Sequence, residues 1–246
     1  MNLYLDIGNS RLKWAQGEPS GWTVQSASLA GYDPGDLFEI IWSTQVAPAR
    51  LLVSSVARTE WSETLRRWAR HRWSCEVEFV QSSAAAVGVR NRYRDPSLLG
   101  VDRWAALIGA RRLVSGSAIV IDAGTAVTID ALNADGEFIG GVILAGLELQ
   151  RESLLRGTAG ISATDDRQAD CLARDTASAV AAGTRYGIAG GIERVISEQT
   201  RALGTTPSIL LTGGDAEGLM PLLPAGVRHV PDLVLRGVHA LGEASC

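Results

Sequence analysis

Two stretches of this chain follow one pattern. LYLDIGNSRLKWA at residues 3–15 and IVIDAGTAVTIDA at residues 119–131 each set Asp-x-Gly and small polar residues between two strand-like apolar runs. Such a run, turn and run reads as a hairpin on a largely buried sheet. A hairpin written twice predicts two similar halves, and 246 residues leave room for both.

The rest of the chain fits that plan. In the first half, residues 3–6, 11–16 and 22–27 read as strands and 36–44 as a helix. Residues 51–56 (LLVSSV) read as a short buried parallel strand, 60–72 as a helix and 77–80 as another strand. Residues 82–99 lack periodicity and read as an ordered loop before a helix at 100–112. SGS at 115–117 marks the boundary, which gives domains of residues 1–114 and 115–246. The second half repeats the order, with strands at 118–122, 126–131 and 138–143 and a helix from Leu147. Residues 157–174 are polar and irregular. Residues 175–203 form a long helix rich in Ala and Gly, with a break expected at Gly190-Gly191. A strand at 208–211 runs into TGGDAEGL, and PDLVLRGVHALGEA closes the chain as a helix. The fold class is α/β, with duplicated halves of mixed sheets flanked by helices.

Charge and composition exclude several functions. The net charge of −4 gives no basic field for nucleic acid, so an anionic substrate needs local positive groups. No apolar run reaches the ~18 residues of a membrane span. The first residues lack a basic stretch and read as a buried strand, not a signal peptide. Cys75, Cys171 and Cys246 form no CxxC, and there are three His. Neither zinc nor a disulfide framework is expected, and a reducing cytosol fits best.

The paired turns carry chemistry. Gly8 lets backbone come close to a ligand, and successive N–H groups make an anion-binding concavity. Asn9 and Ser10 add donors, and Asp6 is placed to hold Mg²⁺ directly or through water. Lys13 can reach a phosphate as a point charge. Asp122, Gly124 and Thr125 offer the same kit without the lysine. Together the two turns would grip a polyphosphate and its metal from both sides; either one alone is also an ordinary hairpin turn. LTGGDAEG at 211–218 adds a third close-approach turn through Gly213 and Gly214, or a generic strand-to-helix turn. There is no GxxxxGK[ST] and no Rossmann fingerprint.

Seven segments together resemble the type III pantothenate kinase family, which includes relatives described as Bvg accessory factors. They are LDIGNSRLKW (5–14), LVSSVAR (52–58), LLGVDRWAALIGA (98–110), IDAGTAVTID (121–130), GGVILAG (140–146), AAGTRYGIAGGIE (181–193) and TGGDA (212–216). They span nearly the whole chain in the expected order. Three details depart from the family pattern. Ala145 stands where a Pro is usual, Asn9-Ser10 replaces Asn-Thr, and ARDT at 173–176 replaces a Gly-containing version.

The resemblance implies ribonuclease H-like, actin-like ATPase halves with an ATP cleft between them. It implies ATP-dependent phosphorylation of pantothenate to 4′-phosphopantothenate, with no nucleic-acid or membrane partner. Asp102 of Gly-x-Asp-Arg would orient the hydroxyl and accept its proton; residue type alone favours the plainer reading, a favourable charge at a helix N-terminus. Gly100, Arg103 and Tyr93 would line the acceptor pocket, with Val101 and Ile143 as packing residues. Asp122 would ligate a monovalent cation, K⁺ or NH₄⁺. The long helix would lie at a homodimer interface and carry Thr184 to the partner's acceptor pocket. Two alternatives remain: a nucleotide-binding accessory protein on the same fold, and a kinase or phosphohydrolase with another substrate. LLGVDR discriminates best, because it belongs to the acceptor side.

Overall fold

The computed structural model describes residues 1–161 and 170–244. Part of the irregular stretch at 157–174, and Cys246, therefore lie outside the described residues. The elements in chain order begin with β1 (Leu3–Ile7), β2 (Arg11–Gln16), β3 (Gln25–Ser28), α1 (Pro34–Trp42), β4 (Leu51–Ser55), α2 (Thr59–Trp73) and β5 (Val77–Phe79). There follow β6 (Ala85–Ala86), β7 (Val89–Asn91), α3 (Val101–Leu113), β8 (Ala118–Ala123), β9 (Ala126–Leu132), β10 (Glu137–Ala145) and α4 (Leu147–Gly157). The chain closes with α5 (Thr176–Leu203), β11 (Ser208–Thr212), α6 (Ala216–Leu219), β12 (Val227–His229) and α7 (Leu233–Ala244).

Two expectations need correction. The stretch 82–99 is not all loop, since β6 and β7 pair antiparallel within it. The helix at 176–203 runs unbroken through Gly190 and Gly191. Glycine lowers helix propensity by about 1 kcal/mol, and the packing of Ile188, Ile192 and Ile196 in the core outweighs that cost.

The chain divides into two compact units. The first is Met1–Ser115 with Gly136–Phe138 and the segment from Asp232; the second is Gly116–Asp135 with Ile139–Pro231. The units therefore cut differently from 1–114 and 115–246, because α7 packs on α3. A Cβ at Gly237 would lie 1.8 Å from the Ala105 carbonyl oxygen, and one at Gly109 would lie 2.2 Å from that of Leu233. Only glycine at both positions lets these backbones touch.

The first unit orders its sheet β3-β2-β1-β4-β5, antiparallel through the β1–β2–β3 meander and parallel from β1 through β4 to β5. Side chains alternate across it. Leu3, Leu5 and Ile7 join Leu51, Val53 and Trp14 in a core with Phe38, Trp42 and Trp61 of α1 and α2. Tyr4, Asp6, Leu52 and Ser54 take the other face, against which α3 and α7 pack. Glu137 and Phe138, the first residues of β10, pair in parallel with Arg90 and Asn91 of β7.

The second unit reuses the order as β10-β9-β8-β11-β12, antiparallel at β8–β9 and parallel from β8 through β11 to β12. Ile119, Ile121, Val127, Ile129 and Leu211 meet the apolar face of α5. None of α4 is buried. Among the described residues no helix is long and apolar enough to cross a membrane.

Candidate active site

In the first unit, the β1–β2 hairpin places Asp6 directly across from Lys13, both half-buried. The Gly8 N–H donates to the Arg11 carbonyl at 2.9 Å and closes the turn. Asn9 and Ser10 stand exposed at its tip and line a cleft with Tyr32, Asp33, Arg58 and Glu60. Arg58 at the start of α2 is thus a cation beside the turn that the sequence reading did not single out.

The residues expected on the acceptor side meet at the start of α3. The Asp102 carboxylate accepts the Arg103 backbone N–H at 2.7 Å. Burial pushes its pKa above the usual aspartate value, opposed by that hydrogen bond and the Arg103 charge. Gly100 has a steric reason: a Cβ there would sit 2.7 Å from the same carboxylate oxygen. Any side chain at position 100 would displace the carboxylate.

Arg103 is 6% exposed. Its Nη1 donates to the Tyr93 hydroxyl at 3.3 Å, and its guanidinium lies 5.8 Å from the ring centres of Tyr93 and Phe138. Those rings stack at 5.8 Å. The loop is pinned from below: Asn91 accepts from the Tyr93 N–H and donates to the Pro96 carbonyl, at 3.0 and 3.1 Å. The sequence reading named Tyr93, Gly100, Asp102 and Arg103, which the structure brings together. It missed Phe138 and Asn91, whose role depends on β7 pairing with a strand 47 residues later.

In the second unit, three turns converge. Asp122 at the end of β8 lies between Thr128 of β9 and Thr212 of β11. The Gly124 N–H donates to the Ala126 carbonyl at 3.0 Å, and the Gly146 N–H donates to the Thr125 carbonyl at 3.1 Å. A Cβ at Gly146 would lie 2.2 Å from the Gly124 carbonyl oxygen, so the β10–α4 corner rests on this turn. Gly213 has φ +105°, and a Cβ there would lie 2.1 Å from the Ala123 carbonyl oxygen. The Asp215 N–H donates to that same oxygen at 2.9 Å, while Gly214 stays exposed. Asp122, Gly124, Thr125 and Gly213 are thus neighbours, and Gly146 is a further member that only the packing identifies.

Thr184 lies on α5, 6% exposed, and its hydroxyl donates to the Val180 and Ala181 carbonyls at 3.0 and 3.1 Å. Ile143, expected as a packing residue, is 60% exposed. It stands with Ile139, Val142, Leu149, Leu154 and Tyr186 among the exposed apolar residues of the second unit.

Among the described residues no three of His, Cys, Asp and Glu gather where they would hold a metal ion. Asp6 is a single carboxylate, of the kind that meets Mg²⁺ beside phosphate oxygens and water.

The family model described as type III pantothenate kinase matches residues 2–198. The chain belongs to the type III pantothenate kinase family. A relative of that name from Alkalilimnicola ehrlichii is 40% identical over 99% of this chain and 98% of its own. Another, from Halorhodospira halophila, is 38% identical over 97% and 96%. Among solved structures, a protein of Sinorhizobium meliloti assigned as a 2-dehydro-3-deoxygalactonokinase superposes with TM-score 0.61 at 15% identity, covering 100% of this chain and 99% of that one. A Baf-family protein of Campylobacter jejuni, described as a transcriptional activator, gives 0.59 at 17%, covering 99% and 98%. At these identities the structures show the fold alone, an α/β architecture. The relatives are named as kinases.

Proposed function

We propose that this chain transfers the γ-phosphoryl group of ATP to the primary hydroxyl of pantothenate, giving 4′-phosphopantothenate for coenzyme A synthesis in the cytoplasm. One observation carries the assignment of the acceptor side: Gly100 leaves space for a half-buried Asp102 carboxylate with a raised pKa, beside an Arg103 braced on Tyr93 and Phe138.

Asp102 orients the substrate hydroxyl and accepts its proton as the oxygen bonds to the γ-phosphorus. The bond from that phosphorus to the bridging oxygen breaks, and ADP leaves with the oxygen. Arg103 and Tyr93 hold the acceptor, whose carboxylate needs a local cation on a chain of net charge −4. Lys13 and the N–H groups of the Gly8–Asn9–Ser10 turn bind phosphate on the first unit; the Gly124–Thr125 and Gly213–Gly214 turns do so on the second. Asp6 would hold the Mg²⁺ that comes with ATP, and that ion would supply neutralisation of the phosphate charge. Asp122 holds a monovalent cation, K⁺ or NH₄⁺.

The working unit in this reading is a homodimer. The exposed apolar residues of β10, α4 and α5 support it, since none of α4 is buried in the single chain. Thr184 reaches the partner's acceptor pocket from α5, its hydroxyl oxygen retaining capacity to accept a hydrogen bond.

The test is ADP release from the purified protein with pantothenate, against a panel of sugars and short acids. Turnover with pantothenate alone, stimulated by K⁺ or NH₄⁺ over Na⁺, is the expected result. Turnover only with another acceptor overturns the substrate assignment, and equal rates in all three salts overturn the role of Asp122.

A further inference from the structure

The hydroxyl of Ser54 on β4 is 0% exposed and has no hydrogen-bond partner among the described residues. A polar atom taken from water and left unmatched costs stability. Its sequence neighbour Ser55 faces the other way, and that hydroxyl meets Ser62 of α2 at 3.0 Å. One of two adjacent serines is thus accounted for by the fold, and the other is not.

Its place in the sheet gives Ser54 a use. Asp6 is flanked by Lys13 on β2 and by Ser54 on β4. Paired residues on neighbouring strands project to one face, with backbones about 4.8 Å apart. Lys13, Asp6 and Ser54 therefore form one row across three strands. The second unit repeats the motif: Asp122 is flanked on its parallel side by Thr212, which is also buried. There the Thr212 hydroxyl finds the Pro231 carbonyl at 3.4 Å. Each half sets a buried hydroxyl beside its turn aspartate, and the one beside Asp6 is kept in reserve.

We infer that Ser54 is a positioning residue for the metal-and-phosphate end of the site: in the nucleotide-bound state its hydroxyl donates to the Asp6 carboxylate. This rests on the reading of Asp6 as the Mg²⁺ contact. The hydrogen bond favours the ionised carboxylate and selects one of its rotamers. Ser54 touches neither pantothenate nor the transferred phosphoryl group.

The test is Mg²⁺ titration of the full-length protein with ADP present, followed by calorimetry, for wild type, Ser54→Ala and Asp6→Asn. Melting of each unliganded protein is measured in parallel. Ser54→Ala is expected to weaken Mg²⁺ binding about 10-fold, the size of effect seen for groups that orient a metal-binding carboxylate. Its unliganded Tm should be equal to wild type or higher, because alanine removes an unmatched polar atom. The KM for pantothenate should not change. Wild-type Mg²⁺ affinity in Ser54→Ala, with Asp6→Asn impaired, overturns the inference and leaves Asp6 as the contact. Wild-type affinity in Asp6→Asn overturns the reading of Asp6 and this inference with it. A lower unliganded Tm in Ser54→Ala shows the hydroxyl spent on the fold and also overturns it.

Discussion

At the scale of single residues, the proposed acceptor side turns on where charge is buried. Asp102 starts a helix whose next residues, Arg103 to Ala110, are all buried, and its carboxyl is held above the usual aspartate pKa by that burial. A carboxylate with a raised pKa is a better proton acceptor, provided it is ionised at working pH. The linked stability has a definite sign. The raised native pKa means that the folded protein is penalised when Asp102 is charged, so its contribution is most favourable at low pH and declines as pH rises through the native pKa. Asp102→Asn should therefore lower kcat by about 10²-fold or more while raising the Tm near neutral pH. The Tm difference should shrink as pH falls through the native pKa of Asp102. Steady-state kinetics and thermal melts between acid and neutral pH check both arms; unaltered kcat in the folded mutant removes the base assignment.

At the scale of elements, the crossing of α3 and α7 is what places Asp102. Most residues of both helices are buried, and the two meet through Gly109 and Gly237. A methyl at position 237 would be driven into the Ala105 backbone, one turn from Asp102. Overpacking of this kind typically costs about 1–3 kcal/mol, and a backbone obstacle belongs at the upper end. Gly237→Ala should lower the denaturant midpoint by the equivalent of about 3 kcal/mol. All seven tryptophans lie at or before Trp104, so their fluorescence reports the first unit. The loss should appear in that signal, with kcat reduced as α3 shifts. A mutant with the wild-type fluorescence midpoint contradicts the close crossing.

At the scale of the whole molecule, the apolar residues left uncovered are not scattered evenly. Ile139, Val142 and Ile143 follow one another on β10, and Leu149 and Leu154 stand on the adjoining α4. A two-fold interface uses the same patch on both subunits, so one charge introduced there is met by its own copy. Ile143→Glu should convert a dimeric wild type to monomer and reduce turnover with pantothenate. Sedimentation at micromolar concentration reads the first effect and ADP release the second. A wild type that sediments as a fully active monomer removes the shared-site proposal.

The duplicated Asp-x-Gly hairpins, the succession of strands and helices along each half and the Gly-x-Asp-Arg helix start were legible in the chain alone. Each is written in local pattern: alternating or continuous apolar runs, turn residues and a helix boundary lie within a few residues of one another. The close-packed corners at Gly146 and Gly213 were legible only as glycines in turns; the carbonyls that exclude a side chain come from other strands. Phe138 beneath Arg103, the exposure of Ile143 and the membership of α7 in the first unit were decided by tertiary structure. So was the row of Lys13, Asp6 and Ser54, because parallel pairing brings together residues 48 apart, Asp6 and Ser54, whose relation no local period records. Local pattern determines which face of an element is apolar; which other element covers that face depends on long-range packing.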